Sequence, residues 1–490
     1  MSLVDSIRSF IGKVVGRLLP TKEIERELKV KTSISGIMQD SISLWADMYA
    51  NLPPWSSETK CLNLPATISS EFARLILTEY SFEVTGSPMA DYINTQIQRV
   101  LNPLHIEKHV ELWAALGGIA LKPYIQDMDE DGAVEIAVDV HQADDFYPLR
   151  FDSNGILTSA VFMETIRRGD MVYTRLEEHT LDGNLYTVIN KAYEAKIYEG
   201  MQETEISANR FQKEIPLTEV EEWSALQPEV EIQNVKTPLF VYLKTPLANN
   251  VDKDSPLGAA VFHRAVEAIE EADKKWGNVI WEYKSKKAKI FADDSLFTTN
   301  QYGEPILSLE DQDLFRTFHS GGGIDAPMEQ LIHEYSPEIR DTSLFNGLNE
   351  DLMQIEKLVG LAIGTISHPQ DVQKTATEIN SSKKRSYHTV SLMQVALEEA
   401  LKQLVEVMRT YALLYGIVPD GKIDVTCSWG DGVLEDVELE AARRWSWVMA
   451  GYYKPEKFFA WYMGCSEEEA LELIPPEKLK PAESFPDENE

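Results

Sequence analysis

The stretch from Asp341 to Gly416 limits this chain more than any other. Leu348, Leu352, Ile355, Val359 and Ala362 recur at three- and four-residue steps, which predicts a helix with one apolar face. Ser367-His368-Pro369 is expected to end it, because proline offers no N–H and disfavours helix in the residue before it. A polar segment follows, Gln370-Asp371-Val372-Gln373-Lys374. Thr375-Ala376-Thr377-Glu378 then has the spacing of a capping box. Beyond it Val390, Met393, Leu397, Leu401, Leu404, Met408, Tyr411 and Tyr415 form an unbroken helical stripe that Gly416 is placed to close. A helix from Thr375 to Tyr415 spans about 60 Å at roughly 1.5 Å per residue, twice the roughly 30 Å of a small domain. Such a helix is a strut in a large fold or part of an oligomer.

The rest of the chain must supply what that strut supports. Its 490 residues exceed one hydrophobic core, so about two to four domains or subregions are expected. An apolar fraction of 43% is that of a globular protein. There is no run of eighteen apolar residues, so no membrane span is expected. Val4, Ile7, Ile11, Val14 and Leu18 alternate with Arg8, Lys13 and Arg17, an amphipathic pattern. That pattern suits a surface helix on its own protein or a neighbour better than a membrane-surface helix. Without a small-residue cleavage site it does not read as a signal peptide. Cys61, Cys427 and Cys465 are few and unclustered, which fits a reducing compartment with neither a disulfide framework nor a metal site. The formal net charge is -34. This excludes general attraction to DNA phosphates. It leaves open an acidic channel along which DNA slides without sticking, and also an ordinary acidic cytoplasmic protein.

Before the strut the periodicity changes several times. Residues 30–80 read as mostly helical, interrupted at Pro53-Pro54 and Pro65, and residues 87–113 continue as helix. Gly117-Gly118 opens a strand, 119–125, and 134–140 alternates as its return. The turn between, Asp127 to Gly132, begins like a calcium loop. Val138 stands where a bidentate Glu is needed, and the flanks are strands, so the reading is a hairpin. Strands at 157–166, 171–178 and 185–193 make an antiparallel meander with a turn at Asp182-Gly183. Residues 207–235 are acidic and loop-rich.

Ser255-Pro256-Leu257-Gly258 then starts a helix to about Lys284, on the apolar positions Val261, Ala265, Ile269, Ala272, Trp276 and Ile280. It runs into a basic tail, Lys284 to Lys289, and a short strand, Ile290-Phe291. Lysines at a helix C-terminus suit its dipole; a phosphate-facing patch is the alternative. Residues 292–340 read as irregular. Their Gly321-Gly322-Gly323 lacks the lysine of a P-loop and reads as a loop. After the strut come a strand at 422–429 and short helices at 436–450 and 455–474. The tail from Pro475 has the composition of disorder.

Catalytic signatures are missing. There is no HExxH, GxSxG, P-loop, CxxC or dinucleotide fingerprint. His105 and His109 have i,i+4 metal-ligand spacing but no third ligand nearby, so no metal is expected. A carboxylate pair for hydrolysis leaves no motif and cannot be picked out of so acidic a chain.

The order of elements resembles the portal proteins of tailed bacteriophages, in particular the portal family of siphophages infecting Gram-positive bacteria. The resemblance is carried by Gly117-Gly118-Ile119-Ala120-Leu121-Lys122-Pro123-Tyr124 with its acidic hairpin, and by Ala143 to Asp152 leading into Gly155-Ile156 and Ala160-Val161-Phe162. Ser255-Pro256-Leu257-Gly258 with Lys286-Lys287-Ala288-Lys289-Ile290-Phe291 also carries it, as do the start of the long helix at Thr375-Ala376-Thr377-Glu378-Ile379 and the turn Ala450 to Pro455.

The resemblance implies an α+β, portal-type fold. Its parts are a wing of mixed helix and antiparallel sheet (1–257), a stem helix (258–285), a small α/β clip (286–340), a second stem helix (341–364), a tunnel loop (365–374), the long helix with a wing strand (375–436), a helical crown (437–474) and a disordered tail (475–490). The tunnel loop would present Gln370, Asp371, Val372, Gln373 and Lys374 to DNA. Lys286, Lys287, Lys289, Lys383, Lys384 and Arg385 would face DNA or pair with a neighbouring subunit. The function implied is a ring of usually twelve copies at one capsid vertex, the conduit for packaging and ejecting double-stranded DNA. Its partners would be the terminase large subunit, the major capsid and scaffolding proteins and a head-completion or adaptor protein. It would have no cofactor and no membrane, and would be made in the host cytoplasm and carried in the virion. An acidic multidomain hydrolase using a carboxylate pair is the alternative, and an internal scaffolding protein a weaker one.

Overall fold

The computed structural model describes residues 20–127, 134–198, 210–286, 289–293, 296–298, 315–318, 332–335, 338–368, 376–429, 437–463 and 470. The chain divides into two compact units, one of residues 1–77 with 82–427, the other of 78–81 with 428–490.

The first unit opens with helices α1 (Thr21–Leu28), α2 (Gly36–Tyr49) and α3 (Leu64–Ile76), strand β1 (Ser81–Thr85), and helices α4 (Pro88–Val100) and α5 (Pro103–Leu116). Ser35 and Ser87 cap α2 and α4 by accepting the N–H of Met38 and of Ala90. The predicted hairpin is present: β2 (Gly118–Asp127) and β3 (Val134–Gln142) pair antiparallel, with Asp127 opposite Val134. The meander is β4 (Phe146–Phe151), β5 (Leu157–Arg168), β6 (Met171–Asp182) and β7 (Leu185–Lys196). Two short strands share the remaining edge of β7. β8 (Lys213–Ile215) lies opposite its far end and β9 (Glu229–Gln233) opposite its start. β10 (Val241–Lys244) returns to pair with β2, giving a second sheet in the order β10-β2-β3.

These two sheets share a core of Ala120 and Phe240 with Phe146, Leu157, Ala160 and Phe162. Beside it lies a buried ionic cluster. Glu177 accepts from Lys122 at 2.7 Å, from Arg175 at 3.1 Å and from His179 at 2.9 Å, and His179 Nδ1 meets the Tyr186 hydroxyl at 2.7 Å. Burial opposes the charge of Glu177, but Lys122, His179 and Arg175 outweigh it and hold its carboxyl well below the usual range. Burial also pushes His179 below its ordinary value. The imidazole is therefore neutral, with Nε2–H donating to Glu177 and Nδ1 accepting from Tyr186.

Then come α6 (Val266–Ser285), β11 (Lys289–Asp293), β12 (Phe315–Phe318), β13 (Ile332–Tyr335), α7 (Asp341–Val359), α8 (Ala376–Leu414) and β14 (Asp424–Ser428). The long helix has 39 residues, about 58 Å at roughly 1.5 Å per residue. Its predicted stripe is buried from Val390 through Met408, packed on α3, α4, β2 and β10. Gly416 follows it at φ +62°. The second unit holds α9 (Val437–Met449) and α10 (Pro455–Met463), where Trp445 packs on the buried Phe458 and Arg444 lies 4.1 Å over Trp461.

Three local expectations are corrected, and one strand had not been expected. The helix expected from Ser255-Pro256-Leu257-Gly258 begins only at Val266, after a 3-10 turn at His263–Ala265. Sheet contacts occupy the preceding backbone: Thr245 Oγ1 accepts from Ala259 N at 3.1 Å and donates to Ala259 O at 2.7 Å, and Gly258 N donates to the Tyr242 hydroxyl at 3.3 Å. Secondly, the helix from Asp341 stops at Val359 and not at His368. Gly360 takes φ +85° and donates to Glu356 O, the glycine-terminated end of a helix. Thirdly, residues 292–340, read as irregular, contain β12 and β13, which flank β11 in a three-stranded sheet, one pairing parallel and the other antiparallel. Finally, β1 pairs with β14 across more than three hundred residues, a strand that local pattern did not reveal.

Gly258 gives a direct test of the first correction. A Cβ there would lie 2.0 Å from the Gly117 carbonyl oxygen, whereas one at Gly347 would meet nothing within 4 Å. Gly258→Ala is expected to destabilise the protein by about 2–3 kcal/mol. Gly347→Ala, inside α7, should stabilise it by up to about 1 kcal/mol. Thermal melting of the two variants checks both signs.

Candidate functional site

α6 and α7 pack against each other, and two ionic clamps fix them. Near the middle, Lys275 Nζ reaches the Asp351 carboxylate at 2.7 Å and the Gly347 carbonyl at 3.3 Å. At the other end Glu282, only 1% exposed, receives Arg340 Nε and Nη2 at 3.1 Å each and Lys286 Nζ at 2.7 Å. Arg340 and then Lys286 hold its carboxyl at about 2. The strand β11 leaves from this clamped end of α6, and α7 returns to it.

Beyond α7 the chain makes a tight course to His368, and one buried carboxylate organises it. Glu356, 0% exposed, accepts the backbone N–H of Gly364 at 3.1 Å, Ile366 at 2.6 Å and Ser367 at 2.9 Å, and the Ser367 hydroxyl at 2.8 Å. Asn349 brackets the next residue. Its Oδ1 accepts from His368 N at 2.8 Å and its Nδ2 donates to His368 O at 3.0 Å. The segment that leads into residue 369 is thus tied to α7 by side chains one and three turns back from its end. On the far side α8 begins at Ala376.

The polar residues between, Gln370, Asp371, Val372, Gln373 and Lys374, lie outside the described residues. Of the basic candidates, Lys286 is described fully. It is committed to Glu282 and to the Glu338 carbonyl, which it reaches at 2.8 Å. Lys287 lies outside the described residues. Lys289 opens β11, and Lys383, Lys384 and Arg385 lie within α8, but the described features of these four are those of the backbone. Sequence reading overlooked Glu356 and Asn349. The available signal was a carboxylate at 356, immediately beside the core position Ile355 on the apolar side of α7.

His105 and His109 stand on α5 and share a groove with Gln126 and the first half of β3, toward the turn of the hairpin; burial and then the neighbouring Lys108 push His109 below its ordinary value. Among the described residues no three His, Cys, Asp or Glu side chains form a group suited to a metal ion. Cys61 and Cys427 are unlinked; burial pushes the Cys61 thiol up to about 12. No helix among the described residues is long and apolar enough to cross a membrane.

The sequence model for phage portal proteins of the SPP1 Gp6-like type matches residues 61–448, most of the chain. The chain belongs to this portal protein family. Phage portal proteins are structural and not enzymatic, which removes the carboxylate-pair hydrolase, and membership makes the chain a component of a phage particle. The α+β architecture and the family expected from the order of motifs both hold. Among solved structures, one chain of the "Neck of native GTA particle computed with C12 symmetry" is similar, at 10% identity and a TM-score of 0.42. The match covers 91% of this chain and 99% of that one. No curated protein sequence matches significantly.

Proposed function

We propose that copies of this portal-family chain assemble into a ring, of twelve subunits in the virion, at one vertex of the capsid. Double-stranded DNA passes through its centre during packaging and ejection. The reading is supported by one observation beside the family match: the chain just before residue 369 is tied to α7 by side chains, and a long helix begins at Ala376. Glu356 and Asn349 tie down 364–368, and α8, a helix of 39 residues, follows. A short polar segment entered from so firmly anchored a point can touch a moving duplex without being dragged along it. Gln370 and Gln373 supply neutral hydrogen bonds, Lys374 a passing phosphate contact, and the net charge of -34 keeps the duplex from adhering elsewhere.

In this proposal α6 and α7 are the stem and β11–β13 belong to the clip, where the terminase large subunit docks and a head-completion or adaptor protein later binds. The meander and N-terminal helices form the wing, which meets the major capsid and scaffolding proteins. α9 and α10 lie in the crown. Terminase, and not this chain, hydrolyses ATP.

Native mass spectrometry with negative-stain images of the purified protein tests the assembly. The expected result is a closed ring of about twelve subunits around a hole wide enough for duplex DNA. A compact monomer or dimer that persists at high concentration would overturn it. With a ring in hand, replacing Gln370 to Lys374 by alanine is expected to reduce DNA packaging while the ring persists.

A further inference from the structure

The outer side of α6 carries a groove that the fold leaves uncovered. The loop around Trp55 crosses α6 so closely that a Cβ at Gly277 would lie 2.1 Å from Thr59 Oγ1. Asp273, 2% exposed, fixes the crossing by accepting from Trp55 Nε1 and from Leu62 N, both at 2.8 Å. Between loop and helix lies an open groove of about 690 Å³. Trp55 and Ile280 line it, and so does Trp281, whose side of the helix is open to solvent with the residue 64% exposed. Lys60, Lys274 and Lys284 also line it, against one lining carboxylate, Glu58. Lys274 pairs with Glu270 and Glu271 at 2.9 Å each, whereas neither Lys60 nor Lys284 has an ion-pair partner among the described residues.

Three features make this groove unusual for the chain. An indole two-thirds exposed is costly to leave in water, and tryptophan is among the residues most often found as the anchor of a protein interface. Two lysines with no ion-pair partner among the described residues stand beside it in a protein with 80 acidic and 46 basic residues. The groove is also held open by the buried Asp273, so a partner meets a preformed surface.

We infer that this groove receives a carboxylate-bearing surface of a second copy of the same chain, with Trp281 as the apolar anchor and Lys60 and Lys284 as the charged rim. The inference rests on the ring reading above and names one of its contacts. A ring is closed by heterologous contacts, in which two different patches of the subunit meet. With so large an acidic excess, copies repel one another unless one patch is locally basic, and this groove supplies that patch. DNA fits less well, because an anchoring indole retards a duplex that must slide.

The test uses the full chain. Trp281→Ala and the pair Lys60→Glu with Lys284→Glu are compared with the unchanged protein by native mass spectrometry across a concentration series. Melting midpoints serve as the folding control, and they should hold, because all three side chains are exposed. Subunit association is expected to weaken by about thirtyfold in Trp281→Ala. In the charge-reversed pair it should weaken further at low salt than at high salt. A photo-reactive benzophenone amino acid at position 281 is expected to link one copy to another in the assembled ring. Unchanged association in both variants, or a link to DNA in place of a second copy, overturns the inference while leaving the ring intact. If the unchanged protein forms no ring, the ring reading falls and this contact with it.

Discussion

Glu177→Ala is expected to destabilise the first unit by about 3–5 kcal/mol, the largest loss at any single position considered. The carboxylate is the common partner of Lys122, Arg175 and His179 inside the core between the two sheets. Its removal takes away the carboxylate that Lys122, itself 5% exposed, pairs with at 2.7 Å, and leaves the ammonium facing the Phe162 ring at 5.1 Å, with Asp139 opposite it on β3 acting only from a longer range. Breaking a buried pair from one side costs more than the pair contributes, because the surviving charge stays desolvated. Arg175 is less affected, since Glu164 holds it at 2.8 Å. Thermal melting checks the loss, and Lys122→Met in the same background should recover part of it, whereas a cavity effect alone would not be rescued.

The same cluster sets a pH dependence. The folded carboxyl of Glu177 sits well below its unfolded value, so its contribution is fully present above pH 4.5 and is lost as pH falls through the lower folded value. His179 is held below 6.5 in the folded state, so the unfolded chain binds more protons and stability also falls as pH drops beneath 6.5. Melting midpoints are therefore expected to decline in two stages, a first beneath pH 6.5 from His179 and a second that begins only beneath pH 4.5 from Glu177. The first stage should shrink in His179→Gln, and an unchanged profile in that variant would remove His179 from the account.

Glu356→Ala is expected to release the segment before residue 369 while leaving the rest of the fold in place. Hydrogen bonds to an ionised acceptor contribute about 1.5–3 kcal/mol each, and Glu356 accepts several. Amide exchange at Ile366 and Ser367 should accelerate by about a hundredfold or more, with exchange in the β2–β3 hairpin unchanged. Glu356→Gln should fall between, since one amide oxygen still accepts but its NH2 meets N–H donors. On the proposed function, packaging drops in both variants although rings still form. Slow exchange at Ile366 and Ser367 in Glu356→Ala would show that the carboxylate does not hold this segment.

Which parts of the molecule were legible in advance follows from the range of the interactions that define them. The long helix, the hairpin and the meander were readable because their periodicities and turns are local: the stripe from Val390 to Met408, the alternation along 134–140, the turn at Asp182-Gly183. The family was readable from the order of such pieces. The ends of elements were not. α7 shows why, since its apolar pattern continues to Ala362 and a proline stands at 369, yet Gly360 in the left-handed conformation ends it sooner. Glu356 then takes over the N–H groups that the helix no longer satisfies.

Some features are tertiary by nature. β1 becomes a strand because β14 lies beside it, and the segment before α6 is denied helix because Thr245, Tyr242 and Ala114 occupy its backbone groups. Lys122, Glu177 and His179 lie on different strands or at positions that look like ordinary solvent-facing charges, and only strand register brings them together. The sequence by itself determined the class of elements, their order and the family, because backbone propensity and side-chain periodicity act over a few residues. The tertiary structure alone decided where helices stop, which charges are buried together and which side chain anchors the segment before residue 369. Those outcomes depend on desolvation and hydrogen-bond partners that distant parts of the chain supply.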